Sequence, residues 1–215
     1  MISLLLPTIS IPLARRFIQA ASHAGVDDYE IVVCSPERIE GHKVVWVPDT
    51  KMAGNNPAHR MAFEKCTGNI VISVQDGITL IEGWAVKCIA WMESDPGALW
   101  GLATPAGRCA VFGRYYPFYP MAHRDLIKRH WKYFFPYQAH WGDPALALDV
   151  RRTGGRVKET PEYIVVEHAD RLGQPESHHK AECFVSDMNR FLEDFKDLSA
   201  GWDLSDWRNF NRQIP

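Results

Sequence analysis

No stretch of this sequence reaches the ~18 consecutive apolar residues of a membrane-spanning helix, and the opening ISLLL is too short for a secretory signal and lacks its basic flank. Cysteine is sparse. The five residues Cys34, Cys66, Cys88, Cys109 and Cys183 are odd in number and show no C-x-x-C spacing, which indicates neither a zinc knuckle nor a disulfide framework. An excess of one charge sign is missing too: a formal net charge of -2 gives no global attraction to nucleic acid or anionic lipid, though it leaves room for a local patch. Internal repeats and low-complexity linkers are absent. Together these absences lead to the expectation of a soluble, cytoplasmic protein in a reducing compartment, with no membrane contact.

What is present is enough apolar material for one core. With 215 residues, 46% of them hydrophobic, the chain can bury roughly 70 to 75% of its unfolded surface. Ile2 to Leu6 reads as a strand stopped by Pro7, which cannot donate to a sheet ladder. Leu13, Phe17 and Ala20 or Ala21 then repeat at helical spacing until Gly25, and Tyr29 to Val33 forms a second strand ending in Cys34, Ser35 and Pro36. Strand, helix, strand within so short a span implies a parallel, right-handed crossover. Val44 to Val47 is a third strand, followed by the turn-rich PDTKMAGNNP and a helix from Ala58 to Cys66.

The chain is organised around GNIVISVQDGITLIEGW, Gly68 to Trp84. Ile70, Val71, Ile72 and Val74 are β-branched and fit a central strand buried on both faces, and the apolar run ends abruptly in one acid, Asp76. Ligands of open α/β sheets collect beyond the carboxyl ends of such strands, so Asp76 is either a ligand or metal contact or the opener of a turn. A helix from Trp84 to Met92 and a strand from Ala98 to Leu102 follow. Asp143, with Pro144 after it, reads as the N-cap of a helix that carries Leu146 and Val150 inward. Short strands at Arg156 to Lys158 and Tyr163 to Glu167 precede a polar stretch, and Phe184, Met188, Phe191, Leu192 and Phe195 give the tail from Ala181 to about Leu198 an amphipathic helical pattern.

Residues 106–141 differ in composition. Arg108, Arg114, Arg124, Lys128, Arg129 and Lys132 stand against a single acid, Asp125, among closely interleaved Tyr, Phe and Trp. Such a basic aromatic belt suits stacking on sugars or bases and pairing with phosphate; alternatively its rings are the core of an antiparallel edge.

The order of these elements and four local patterns resemble the inverting, GT-A fold glycosyltransferases of the family 2 kind. SLLLPT is similar to that family's first strand, V-S-V-I-I-P-T. AHRMAFEKCTGNIVISVQDG is similar to its A-R-N-x-G-x-x-x-A-x-G-x-Y-I-x-F-L-D-x-D, WGDPALALDVRRTGGRV to its G-E-D-x-D-L-x-x-R-x-x-x-x-G-x-x, and YIVVEH to its final strand and histidine. The resemblance implies an α/β, single GT-A (Rossmann-like) domain over residues 1–168, with a mixed, mostly parallel central sheet flanked by helices. Residues 169–215 would be a polar loop and a C-terminal helical tail packing on it; the polarity of 170–180 and its position after the expected site make that segment a candidate lid closing on the donor.

It further implies transfer of a sugar, with inversion, from a nucleotide-diphosphate sugar to a hydroxyl acceptor, either a saccharide or a nucleic-acid base, assisted by Mn²⁺ or Mg²⁺. Asp76 falls on the second acid of D-x-D, the metal and donor contact, and His168 on a histidine that ligates metal in several relatives. Asp143 falls on the general base. Pro7, Thr8, Ser35 and Arg60 fall at the donor, with Arg60 suited to a diphosphate. Trp141 and Arg114 are the acceptor-side candidates. The sequence also departs from the family: Val74 replaces the first D-x-D acid, Cys34, Ser35 and Pro36 stand in place of D-D-G-S, and Gly142 replaces the Glu before Asp143. A non-catalytic relative that binds sugar nucleotides or carbohydrate is therefore the rival reading. A nucleotidyltransferase is disfavoured because PTISIPLARR has no glycine-rich loop.

Overall fold

Strands β1 (Ile2–Pro7), β2 (Tyr29–Ser35) and β4 (Ile70–Ser73) are buried at every position, as largely apolar strands covered on both faces are, and the polar Ser3 and Glu30 among them pair with each other at 2.6 Å. The computed structural model describes residues 1–105, 107–134, 136–167 and 183–199. These strands sit inside a seven-stranded sheet with β3 (Val44–Pro48), β6 (Ala98–Ala103), β9 (Pro120–His123) and β10 (Arg156–Tyr163), in the order β10-β6-β9-β4-β1-β2-β3. Every pairing is parallel except those of β9, which runs antiparallel to both β4 and β6.

Alternation along β1 divides the core. Ile2, Leu4 and Leu6 pack with α1 (Ile11–Ala21) and α3 (Trp84–Ser94) on one face. Leu5 packs on the other face with α2 (Asn55–Lys65), α4 (Arg124–Arg129), α6 (Gly142–Arg152) and α7 (Phe184–Asp194). The remaining elements are small: β5 (Ile78–Leu80) pairs with β11 (Val165–Glu167), β7 (Cys109–Val111) with β8 (Arg114–Tyr116), and α5 (Trp131–Phe134) and α8 (Lys196–Ser199) are single turns. Gly68 is set by close approach: a Cβ there would lie 2.5 Å from Ser3 Oγ and 2.8 Å from Ser3 N, so only glycine lets the turn before β4 press against β1. No helix among the described residues is long and apolar enough to cross a membrane.

Several boundaries differ from the sequence expectations. Helix α2 begins at Asn55, not Ala58, because Pro57 falls in its first turn, where a missing N–H costs nothing. Helix α6 begins at Gly142 with Trp141 as its N-cap, so Asp143 lies inside the first turn and is not the cap. The basic aromatic belt contributes an interior strand, β9, and Phe112, Tyr116, Tyr119 and Tyr137 from it are core.

Candidate functional site

Helix α2 leads into β4 and α6 leads into β10, and both strands run parallel with β1. Each helix must therefore run back along the sheet. Its first turn stands at the carboxyl edge of the parallel strands, on the face both helices cover. That edge collects Thr8, Asp76, the start of α2 and Asp143.

Thr8 follows β1 directly, its N–H donating to the Cys34 carbonyl at 2.9 Å. Its hydroxyl donates to Asp76 Oδ2 at 2.6 Å, and the Ser10 N–H donates to Thr8 Oγ1 at 3.0 Å. Asp76 is nearly covered, with 7% of its surface exposed. A short bond from hydroxyl to carboxylate at a strand end fixes both the acid's orientation and the turn that carries it.

His59 ties that turn to α2. Its Nδ1 lies 3.0 Å from the Asn55 carbonyl and its Nε2 3.3 Å from the Val74 carbonyl. Burial pulls the imidazole down to about 4, so the ring is neutral at physiological pH and carries one N–H for the two carbonyls. Asn56 then ties α2 to the loop before α6: its backbone N–H donates to the Gln138 carbonyl at 3.3 Å and its Nδ2 to the His140 carbonyl at 3.5 Å. Gly54 permits this approach, because a Cβ would meet the Gln138 oxygen at 2.6 Å and its φ is +110°. From the opposite side the buried Asp187 of α7 accepts the backbone N–H groups of Gln138, Ala139 and His140 at 2.8 to 3.1 Å.

The loop so held ends at Trp141, whose φ of 68° is left-handed backbone that bulky side chains avoid. Its ring stacks on Phe191, with centroids 5.0 Å apart. Two residues on, half-buried Asp143 meets no hydrogen-bond donor among the described residues. Burial raises its carboxyl to about 8. The N-terminus of α6 favours the anion and opposes this rise. The result is a carboxyl that exchanges its proton close to neutrality, as a general base requires.

The sequence-derived candidates divide. Thr8 and Asp76 are in direct contact, and the relay through His59 and Asn56 leads to the loop of Asp143. Pro7 closes β1 opposite Cys34. Ser35 is fully buried, donating to the Glu37 carbonyl at 2.6 Å and accepting from Trp46 Nε1 at 3.1 Å, which makes it a brace for the β2 end. Arg60 points outward, paired with Glu64 at 3.1 Å and lying over the Trp131 ring. Half-buried Trp141 stacks on Phe191 with one face. Arg114 is exposed on β8. His168 lies outside the described residues. Sequence reasoning passed over His59, although its spacing from Ala62 and Phe63 places it on the buried side of α2, where Arg60 is not. It also passed over Asn56 and Asp187, whose partners are remote in the chain.

Among the described residues no group of three His, Cys, Asp or Glu side chains comes together to hold a metal ion. Asp76 is the one described metal candidate of the sequence. That is compatible with an ion which takes one or two carboxylates and completes its shell with substrate phosphates.

No family model matches the sequence, and no curated protein matches it by sequence. In fold the chain is similar to the mannosyltransferase PcManGT from Pyrobaculum calidifontis, solved with GDP-Man and Mn²⁺. The TM-score is 0.64 at 13% identity, over 93% of this chain and 70% of that one. It is similar to residues 1-349 of S. aureus TarS solved with UDP-GlcNAc (TM-score 0.61, 12% identity, 92% of this chain and 65% of that one). It is also similar to GalNAc-T7 solved with UDP, GalNAc and Mn²⁺ (TM-score 0.66, 13% identity, 93% of this chain). The chain spans half the length of that last structure. The architecture is thus the GT-A fold expected from the sequence: a mixed, mostly parallel sheet flanked by helices.

Proposed function

We propose that this chain is an inverting glycosyltransferase that moves a sugar from a nucleotide-diphosphate donor to a hydroxyl acceptor. The observation that carries the reading is Asp143, held in the first turn of α6 at the carboxyl edge, with a carboxyl that burial raises to about 8 and that no described donor occupies. In this reading Asp143 takes the acceptor's hydroxyl proton as that oxygen attacks the anomeric carbon. A C–O bond forms on one face of the sugar while the bond to the diphosphate breaks on the other, which inverts the configuration. Asp76, oriented by Thr8, faces the departing diphosphate. Asp76, with His168 as a second candidate ligand, would hold Mn²⁺ or Mg²⁺, which would supply positive charge to the leaving diphosphate.

The fold's likeness to structures solved with GDP-Man and UDP-GlcNAc supports a nucleotide-sugar donor. The acceptor is a saccharide or a nucleic-acid base. A nucleic-acid acceptor would bind more weakly as salt rises, whereas a neutral saccharide would not. The test is turnover of nucleotide-sugar donors by the wild type and Asp143→Asn. Transfer is expected to fall by about three orders of magnitude or more with donor binding retained, and retained turnover removes Asp143 from the role. A second reading is favoured by buried Val74 in place of the first acid: a sugar-nucleotide-binding protein without chemistry. Hydrolysis or transfer that depends on Mn²⁺ and on Asp76 eliminates it.

A further inference from the structure

A cleft of ≈ 530 Å³ lies against edge strand β10, away from Asp76 and Asp143, with Trp91, Trp100, Tyr115, Arg108, Arg151 and Lys158 in its lining. Its cations are not equivalent. Arg108 is paired with Glu159 at 2.5 Å and Lys158 with Asp95 at 2.6 Å, each also lying over an aromatic ring of the cleft. Arg151 has no such partner. Its Nη1 is buried without an acceptor. Burial, and after it the like charge of Arg114, weakens its hold on the proton. Arg114, exposed on β8 beside α6, has no ion pair among the described residues either.

A guanidinium with a buried donor unmet destabilises a fold unless an acceptor meets it. Guanidinium presents a planar fork of donors that matches phosphate oxygens, and aromatic walls accept the organic part of an ester. We propose that this cleft binds a phosphate ester, its phosphate held by Arg151. Arg151 lies eight residues beyond Asp143 on α6, or roughly 12 Å along the helix axis. Resting on the transferase reading, that separation suits an acceptor whose phosphate is remote from the reacting hydroxyl; the binding site itself does not depend on that reading.

The test uses the full chain, with thermal unfolding and calorimetry against a sugar phosphate, a short phosphodiester oligonucleotide and inorganic phosphate. The wild type is expected to bind an ester at least tenfold more tightly than inorganic phosphate. Arg151→Gln should weaken that ester at least tenfold, and Arg151→Met should raise the unfolding temperature without ligand while removing the response to it. The control Arg38→Gln, which removes a surface cation paired with Glu40, should change nothing. Nucleotide-sugar binding, read in the same proteins, reports the donor site separately and should survive the Arg151 substitutions. Equal affinity for ester and inorganic phosphate overturns the proposal, as does ester binding that the Arg151 variants leave unchanged, or no binding of any of the three.

Discussion

The hydroxyl of Thr8 and the carboxylate of Asp76, 68 positions apart in the sequence, meet at 2.6 Å where the ends of β1 and β4 lie side by side. A hydrogen bond to a charged group contributes about 1.5 to 3 kcal/mol, and Thr8 also accepts the Ser10 N–H. Thr8→Val is therefore expected to lower stability by about that amount and to weaken nucleotide-sugar binding about tenfold or more, with Thr8→Ser restoring most of both. Calorimetry with a nucleotide sugar checks it. Full donor affinity in Thr8→Val would show that Asp76 needs no such support.

Much of this edge was legible in the sequence. The run from Ile70 carries no charge until Asp76 because β4 is buried at every position, and the acid stands three residues beyond the strand's end at Ser73, where the chain has left the sheet. Strand β9 was not legible: PMAH has no alternation and contains a proline, yet that proline falls at the first position of the strand, where it is tolerated, and β9 pairs antiparallel with both β4 and β6. Arg60 stands apart from the buried relay for a simpler reason. A guanidinium suits diphosphate wherever it stands, but a helix turns about 100° per residue, and that step sets His59 toward Val74 and Arg60 toward solvent.

Asp143 makes a prediction about stability as well as rate. Its folded carboxyl is raised from 3.8 to about 8, so between those values the folded state holds a proton that the unfolded state has lost. Stability therefore falls as pH rises through this window, and the cost is complete above it. Asp143→Asn, which cannot ionise, is expected to match the wild type near pH 4 and to become progressively more stable than it up to pH 8, while transfer is lost. Chemical denaturation at a series of pH values measures this; an offset that does not vary with pH would mean that Asp143 is not buried as described. In the wild type, kcat/KM is expected to rise with pH through about 8.

His59 pulls the opposite way. Its folded value is lowered from 6.5 to about 4, so as pH falls through that interval the unfolded state takes up a proton first and stability drops. Over the same interval Asp143 makes the fold more stable as pH falls, and the two slopes oppose each other. His59→Gln retains a donor but cannot titrate, and it is expected to expose the Asp143 slope: a protein that gains stability steadily from pH 6.5 down to 4. The double variant with Asp143→Asn should be flat. If His59→Gln leaves the wild-type profile unchanged, the imidazole is not held neutral between Asn55 and Val74.

Asp187 gives the sharpest separation between holding the fold and holding Asp143, the proposed base. Its carboxylate accepts three consecutive N–H groups of the loop that ends at Trp141, and that loop carries the left-handed backbone of Trp141 only because its surroundings fix it. Removing the acceptor leaves those donors unmet, at about 1 to 3 kcal/mol for a buried group. The first turn of α6 then loses its anchor, although Asp76 and Thr8 stand untouched on the strands. Asp187→Ala is thus expected to lower kcat roughly tenfold or more, as misplacement of a catalytic group does, with little change in donor KM, and to expose the amides of Gln138, Ala139 and His140 to hydrogen exchange. Asp187→Asn keeps one acceptor oxygen and should recover part of both. A variant that merely destabilised the chain would raise exchange throughout and lower kcat only through the fraction folded. Continued protection of those three amides in Asp187→Ala would show that α7 does not position Asp143.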